Sequence, residues 1–297
     1  MDLPNNPPTV TGHSPLLGMA PEAAEGFAQL KWNGLTHRGK VRANNEDAFL
    51  GLQFNGQEVH YLGKLGECSL DTADLIFAVS DGMGGANAGE FASRIAVDKI
   101  TRLMPRFFKH VAAGLAEGHE DVLAELFTQI HRTLLFLATD EECKGMGTTL
   151  STCWFTPGWM HFAHLGDSRI YYLPAGNPEA IHQLSHDDTH VGWLFRQGQI
   201  NEREARNHPR RNLLQKALGA GHQFVDPQVG RVGYESGDIF LLCTDGLTEG
   251  LYDHQILERL RSPDQVEAQK SPALRLVDAA LEGSGRDNTT AMVIEVM

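Results

Sequence analysis

The sequence predicts an α+β fold in which antiparallel β-sheets are covered by helices. Three observations lead to this prediction: strand-like runs cluster, helix-like segments come in pairs, and the middle of the chain has short connections. Residues 166–168, for example, join two strand-like runs too closely for a helix to lie between them, so these neighbours have to be antiparallel. The pattern leaves open which face of a sheet each helix covers.

Short apolar runs bounded by polar residues are typical of buried strands. The predicted strands occupy residues 48–52, 75–80, 149–155, 160–165, 170–173, 239–244 and 291–296. Apolar side chains recur at helical spacing over residues 92–103 and 123–137, which predicts a helix pair after the second strand. Two later helices are predicted over residues 253–261 and from Ser271, where a Ser-Pro start and Gly283 mark the ends.

Length and composition favour one domain. A chain of 297 residues with 41% hydrophobic content can bury a large core, and no Pro- or Gly-rich linker divides it. We assign this domain to residues 30–297. The first 29 residues contain five prolines and no sustained periodicity, so residues 1–29 are predicted to be a flexible N-terminal extension, with a docking arm as the alternative.

Charge and cysteine content limit the partners and the compartment. The formal net charge of −13 argues against nucleic acid or an anionic membrane as the main partner. The four cysteines show no Cys-x-x-Cys spacing, which favours free thiols in a reducing compartment. We find no apolar stretch of about 18 residues and no signal-peptide pattern, so the predicted location is the cytoplasm.

Fourteen histidines raise the question of a zinc site. His161 and His164 lie in one predicted strand, and an odd separation places their side chains on opposite faces. They cannot readily share an ion, and no other Cys/His cluster has zinc spacing.

Aspartates stand at the edges of five apolar runs that are far apart in the chain: Asp47, Asp81, Asp167, Asp245 and Asp287. A carboxylate at the end of a buried strand is held at the rim of the core, where carboxylates from distant segments can converge. Such a cluster repels itself and raises its own pKa values. Hard divalent cations with oxygen ligands relieve this repulsion. Each Asp-Gly pair could instead be a simple turn, but their joint occurrence favours a metal-binding acidic cleft.

Seven short motifs contain these aspartates or lie between them, at residues 39–47, 81–85, 145–149, 165–169, 208–209 with 217–219, 243–247 and 286–290. In residues and order they resemble the metal-dependent protein phosphatases of type 2C, in their bacterial form, over roughly residues 30–297. The resemblance implies a four-layer α-β-β-α sandwich, in which two antiparallel sheets are each flanked by a helix pair. It also implies a flap, at about residues 185–221, beside the catalytic cleft.

The resemblance also implies roles for individual residues. Asp47 and Asp81 would bind two metal ions together with the carbonyl of Gly82, and Asp245 and Asp287 would complete the second ion's ligands. Arg42, Asp47, Asp81 and Asp245 form the catalytic set. Glu46, which points elsewhere in extended backbone, would reach a metal through a water molecule.

Two further assignments have explicit alternatives. Arg42 would bind phosphate, because its planar guanidinium can contact two oxygens at once; the alternative is an exposed surface arginine. Asp140, five residues before Gly145, would bind a third metal ion; the alternative is a solvated acidic cluster with its two glutamate neighbours.

Three positions depart from the family pattern or stay undecided. Met83 stands where eukaryotic members often carry His, and methionine cannot donate a proton, so the general acid is unassigned and metal-bound water is the default. Asp188 occupies a position where many relatives have His. Asp167 has a turn or an indirect role as an alternative to direct metal binding.

The implied activity is hydrolysis of phosphoserine and phosphothreonine monoesters in proteins by water that two Mn²⁺ or Mg²⁺ ions activate. The implied partners are phosphorylated proteins, a serine/threonine kinase among them. One alternative is a catalytically inactive scaffold that binds a kinase or phosphoprotein, which the presence of the aspartates and Arg42 disfavours. A two-metal nuclease is the other alternative, and the acidic charge balance disfavours it.

Overall fold

A computed structural model describes residues 28–84, 88–112, 118–222 and 224–297. Nearly all of the N-terminal extension predicted for residues 1–29 therefore lies outside the described residues, as does Gly85 of the second motif. Within the described residues, no helix is both long and apolar enough to cross a membrane.

The strands of the described chain are β1 Gln29–His37, β2 Asp47–Phe54, β3 Val59–Tyr61, β4 Leu65–Ser69, β5 Asp74–Met83, β6 Gly147–Thr148, β7 Leu150–Thr156, β8 Trp159–Leu165, β9 Arg169–Leu173, β10 His182–Gln183, β11 Leu218–Gly219, β12 Gln228–Gly233, β13 Ile239–Cys243 and β14 Thr289–Val296. The helices are α1 Ala88–Ala112, α2 His119–Leu137, α3 His190–Arg196, α4 Glu202–Asn207, α5 Asp245–Gly250, α6 Asp253–Arg261 and α7 Pro272–Gly283.

Two sheets form the centre of the domain, and their paired strands are antiparallel, as predicted. A six-stranded sheet has the order β10-β9-β13-β14-β1-β4. An eight-stranded sheet has the path β11-β6-β5-β7-β8-β12, with β2 paired to both β5 and β3. Tight hairpins such as β7–β8 connect neighbours, and this local pairing leaves the longer connections free to form helices on the outer faces.

Alternating side chains of the strands separate three apolar cores. In β5, Phe77 and its same-face neighbours pack between the two sheets, whereas Ile76 and Ala78 pack against α1 and α2. In β13, Phe240 faces the other sheet, whereas Leu241 packs with α5, α6 and α7. A period of two along each strand therefore supplies both faces of a sheet. Three cores between four layers confirm the α-β-β-α sandwich.

Strands at the sheet edges were missed by the sequence analysis. The polar segment 53–73, to which no element was assigned, contains the end of β2, all of β3 and all of β4. β3 extends the eight-stranded sheet and β4 extends the six-stranded one. Every residue of β3 is exposed, so the apolar alternation that identifies a half-buried strand is absent.

The two histidines of β8, His161 and His164, lie on opposite faces of the strand, as expected. The Glu120 carboxylate, at the start of α2, accepts a hydrogen bond from Nδ1 of His161. His164 instead contacts the Ser151 hydroxyl. Among the described residues, no group of three or more His, Cys, Asp or Glu side chains is close enough together to hold a metal ion as it stands.

Candidate metal centre and active site

Antiparallel pairing of β2 with β5 brings the first two aspartates together. Asp47 lies directly opposite Asp81 in the ladder, and the backbone N–H of Gly82 donates to the carbonyl of Glu46 at 3.2 Å. Asp81 and Gly82 are both within β5, so the alternative that they form a turn is wrong. A Cβ at Gly82 would collide with the carbonyl of Gly89. Because glycine has no Cβ, α1 can start directly against the strand.

Asp245 is positioned by the start of a helix. It is the first residue of α5 and follows β13 through the N-cap residue Thr244, so this Asp-Gly pair is not a turn either. The next residue, Gly246, lies against the carbonyl of Asn288, where a Cβ would collide. The close approach of α5 to the chain before β14 therefore requires glycine.

Asn288 holds the loop before β2 in place. Its side-chain oxygen accepts from the N–H of Glu46 at 2.7 Å. Its amide nitrogen donates to the carbonyls of Arg38 at 3.0 Å and Asn44 at 2.9 Å. One buried side chain thus fixes the loop that carries Arg42 and Glu46, although the sequence analysis gave Asn288 no role.

Two threonines orient Asp47. The hydroxyls of Thr244 and Thr290 donate to Asp47 Oδ2 at 2.8 and 2.6 Å. The other carboxylate oxygen, Oδ1, is buried and has no hydrogen-bond partner among the described residues. Asp245 Oδ1 is buried and unpartnered in the same way. The sequence analysis missed both threonines, because a Thr next to a strand end is common and carries no chemical signal.

Burial and mutual repulsion raise the pKa values of the acidic cluster. Burial raises the pKa of Asp47 to about 7, against the opposing hydrogen bonds from Thr290 and Thr244. Burial also raises the pKa of Asp81 and that of Asp245 well above the usual range. Four carboxylates add to the effect on Asp81, and these are Asp47, Asp245, Asp167 and Asp287. The fold therefore brings the five aspartates into one electrostatic cluster.

The donor set fits divalent cations. The cluster consists of carboxylates, and burial takes their charge away from solvent. Two of the buried oxygens lack partners among the described residues. Each unpaired buried charge costs on the order of several kcal/mol in lost solvation. Hard cations such as Mg²⁺ and Mn²⁺ would satisfy the oxygens and reverse the local sign of the potential.

Arg42 and Glu46 lie at the rim of the cluster. Arg42 Nη2 donates to Asp287 Oδ2 at 2.6 Å, and the Arg42 side chain is 53% exposed. The Glu46 carboxylate lies against Gly89 at the start of α1, and burial raises its pKa. Arg42 is therefore beside the aspartates and accessible from solvent, while Glu46 points along a different direction from Asp47.

Asp140 lies in an exposed turn after α2. Its backbone N–H donates to the carbonyl of Leu137 at 3.1 Å. The following loop leads into β6, where Gly147 pairs with Met83 at the end of β5. The turn is thus connected to the strand that carries Asp81 through one short ladder, and its third-metal role stays a prediction.

Comparison with known proteins identifies the family of this chain. The family model for protein phosphatase 2C matches residues 64–272. Serine/threonine protein phosphatase PstP of Mycobacterium tuberculosis is 34% identical over 272 residues, which cover 90% of this chain and 45% of that protein. Serine/threonine phosphatase stp of Listeria innocua is 34% identical over 263 residues, which cover 88% of this chain and 93% of the relative. The chain belongs to the protein phosphatase 2C family.

Solved structures of family members share the fold. The catalytic domain of PstP in complex with two manganese ions has a TM-score of 0.69 and 31% identity, covering 91% of this chain and 99% of that one. Stp1 of Staphylococcus aureus has a TM-score of 0.72 and 28% identity, covering 97% of this chain and all of that one (100%). The chain spans about half the length (45%) of the mycobacterial relative.

Asp188, whose role the sequence left open, contacts the turn that carries Asp167. Its carboxylate accepts from the N–H of Gly166 at 3.0 Å, and its own N–H donates to the Gly166 carbonyl at 2.7 Å. Gly166 has a φ of +117°, which favours glycine. Burial raises the pKa of Asp167 to about 7. The structure thus gives Asp188 a place that the sequence analysis left open.

A cleft of about 830 Å³ lies along the flap and reaches one edge of the acidic cluster, away from Asp47 and Asp81. Asp167 and Asp245 border it, and so do Phe195 of α3 and Arg206 of α4. The predicted flap region contains two short helices: α3 is capped by Thr189 and α4 by a capping box. Its boundaries at about 185–221 remain a prediction.

Proposed function

We propose that this chain is a protein serine/threonine phosphatase that hydrolyses phosphoserine and phosphothreonine monoesters and depends on Mn²⁺ or Mg²⁺. The observation that carries the proposal is the convergence of five aspartates, two of which have buried and unpartnered oxygens. An accessible arginine stands beside them. Family membership and the manganese complex of a relative support the same activity.

The ligands of the two ions would come from both sheets. Asp47, Asp81 and the Gly82 carbonyl belong to the eight-stranded sheet, and Asp245 and Asp287 lie at the ends of strands of the six-stranded sheet. When bound, the ions would activate water for attack and neutralise the charge of the phosphate. Because the layers pack rigidly, ligands from two sheets are held in place before substrate binds.

The chain's own side chains would bind and orient the phosphate. Arg42 is exposed enough to turn toward a phosphate and can contact two of its oxygens. Thr244 and Thr290 hold Asp47 Oδ2 by hydrogen bonds, so Oδ1 is the oxygen of this carboxylate that would bind a cation. Met83 offers no proton to the leaving serine oxygen.

We further propose that Asp140 would help to hold a third ion, which would supply a proton for the leaving oxygen. Asp140→Ala should keep two tightly bound ions and lose about ten-fold in turnover of phosphopeptide at physiological metal concentration. A phenyl phosphate with an acidic leaving group needs less protonation, so its hydrolysis should fall less. Glu141→Ala, at the adjacent exposed position, is the matched control. Equal loss on both substrates would contradict the protonation role, and no loss would leave Asp140 in a solvated cluster.

Phosphorylated proteins are the proposed partners, with a serine/threonine kinase among them, and the cytoplasm is the proposed location. All four cysteines are unpaired thiols, as a reducing compartment favours.

A comparison of three substrates with Mn²⁺ present tests the activity. Phosphothreonine peptide and aryl phosphate should both be hydrolysed, and DNA should not. Hydrolysis of DNA would indicate the nuclease, and binding of phosphopeptide without hydrolysis would indicate the inactive scaffold.

A further inference from the structure

Arg206 connects the flap to the body of the domain. From the last turn of α4 its Nη1 donates to the carbonyl of Thr248 at 2.6 Å, and its Nη2 donates to the carbonyl of Leu251 at 2.7 Å. The guanidinium also lies over the ring of Tyr252, 3.8 Å from the centroid. Its Nε forms an ion pair with Glu202 of the same helix. One side chain thus satisfies the carbonyl end of α5 and an aromatic face together.

The element that receives Arg206 is fixed on its other side. Gly250, the last residue of α5, packs against the carbonyl of Ala280 in α7, and Gly283 packs against the carbonyl of Gly250. A Cβ at either glycine would collide with backbone. The first residue of α5 is Asp245, so the flap is attached to the same rigid helix that begins at the acidic cluster.

The Arg206 side chain is less exposed than most side chains of its helix. None of the residues of α4 is buried, yet the Arg206 side chain is only 19% exposed. Arg203, on the same helix, is exposed. The second link between flap and α5 is an ion pair of Arg211 with Glu249 at 3.1 Å, in which the Arg211 side chain is 37% exposed. The hydrogen bonds of Arg206 are charge-assisted, shielded from solvent, and directed to backbone groups that cannot move away.

Arg206 and Asp245 border the same cleft, Asp245 at the acidic cluster and Arg206 further along the flap. A phosphorylated side chain bound at the cluster would have its flanking polypeptide in this cleft, because the flap and α5 form its walls. A small aryl phosphate would not reach that far.

We propose that Arg206 is a positioning residue that clips the flap to α5 and thereby sets the width of the cleft for the polypeptide on either side of the phosphorylated residue. The inference rests on the proposed phosphatase function. Loss of the clip should raise KM for phosphorylated peptides and leave the chemistry at the metal centre in place.

Three variants test the clip: Arg206→Ala, Arg206→Lys, and Arg203→Ala as the matched control. KM and kcat are measured with a phosphothreonine peptide and with para-nitrophenyl phosphate at saturating Mn²⁺. For Arg206→Ala we expect KM for the peptide to rise about ten-fold, as the loss of two charge-assisted hydrogen bonds predicts, and kcat/KM for the aryl phosphate to change less than about two-fold. Arg206→Lys should recover little, because an ammonium cannot bridge both carbonyls and stack on the ring. Arg203→Ala should match wild type.

A second readout does not depend on activity. Hydrogen exchange of the amides of α4 should accelerate in Arg206→Ala relative to Arg203→Ala, while the amides of β5 and β13 keep their protection. Equal loss on peptide and aryl phosphate, or full recovery by lysine, would overturn the clip. Unchanged exchange in α4 would also overturn it. If wild type hydrolyses neither substrate, the proposed function fails, and the exchange measurement still decides whether Arg206 holds the flap.

Discussion

Strand β5 has a half-buried aspartate near each end, and the two ends differ in how that charge is compensated. At the start, Asp74 accepts a hydrogen bond from the indole Nε1–H of Trp154 at 2.9 Å, and burial raises its pKa to about 6. At the other end, Asp81 experiences burial together with repulsion from four other carboxylates, and its pKa is raised well above the usual range.

The surroundings of the two aspartates extend the contrast. Near Asp74, polar groups pair with one another beside Trp154: His161 Nδ1 and Glu120 Oε1 are 3.1 Å apart, and the ring centroids of His119 and His161 are 4.2 Å apart. Near Asp81, by contrast, buried oxygens of two other aspartates lack partners. Because an unpaired buried charge is costly, the first end is compensated within the chain, and the second is the end at which we propose a bound cation.

Metal removal should have the largest effect. Treatment with EDTA should reduce turnover of a phosphothreonine peptide by more than about 10³-fold, because activation of water and neutralisation of phosphate are lost together. Added Mn²⁺ or Mg²⁺ should restore it. The measurement is steady-state phosphate release, with protein that has not been treated with chelator as the control. Full turnover in metal-stripped protein would contradict the role assigned to the acidic end of β5.

Matched substitutions at the two ends of β5 should separate them next. Asp81→Asn should lower kcat by roughly 10²-fold or more, since a metal ligand loses its charge. Asp74→Asn keeps an acceptor for Trp154 and should change kcat by less than about two-fold, with any effect confined to thermal stability. Phosphatase assays and thermal unfolding of both variants make the comparison. Similar kcat losses would mean that the two ends are not functionally distinct.

Replacement of Arg42 should have a smaller effect that appears in binding. Arg42→Ala should raise KM for phosphopeptide about ten-fold through the lost phosphate contacts. Bound Mn²⁺, measured by calorimetry, should stay at the wild-type level. Arg42→Lys should recover only part, since the two-oxygen geometry is lost. Full recovery by lysine would show that charge alone matters at this position.

The smallest effect concerns stability against pH. The pKa of Asp47 is about 7 in the folded chain, against an ordinary value of 3.8. The folded state therefore keeps a proton that the unfolded chain releases, and this contribution to stability is present below about pH 4 and lost as pH rises through 7. His119, whose pKa burial lowers from 6.5 to about 4, acts in the opposite direction: its contribution is present above pH 6.5 and lost as pH falls.

A variant isolates the carboxylate from the histidine. The Tm of metal-free Asp47→Asn should rise relative to that of wild type by roughly 5–10 °C between pH 5 and pH 8, because each pH unit up to the Asp47 pKa of about 7 costs the wild type about 1.4 kcal/mol. His119 is common to both proteins, so its effect cancels. A constant difference in Tm across this range would show that Asp47 does not titrate as assigned.

Short-range patterns in the sequence predicted the parts of this protein that depend on local chemistry. The central strands and four of the helices follow from apolar periodicity, and the aspartates at the strand ends were identified before the fold was known. The edge strands β3, β4, β10, β11 and β12 were not predicted, and neither was β1, which lies between β14 and β4. Edge strands have few buried side chains, so burial leaves little alternation to detect.

The identity and order of the motifs, and hence the family and the four-layer fold, were determined by the sequence itself. Tertiary structure alone decided which oxygens lie free and which residues hold them. Thr244 and Thr290 orient Asp47, Asn288 fixes the loop before β2, and Arg206 reaches α5 from the flap. These contacts join residues far apart in the chain, and none of them changes the local periodicity or the charge of its own segment. Their effect exists only once two sheets and the flap are packed together, because long-range hydrogen bonds depend on distances that the packing sets.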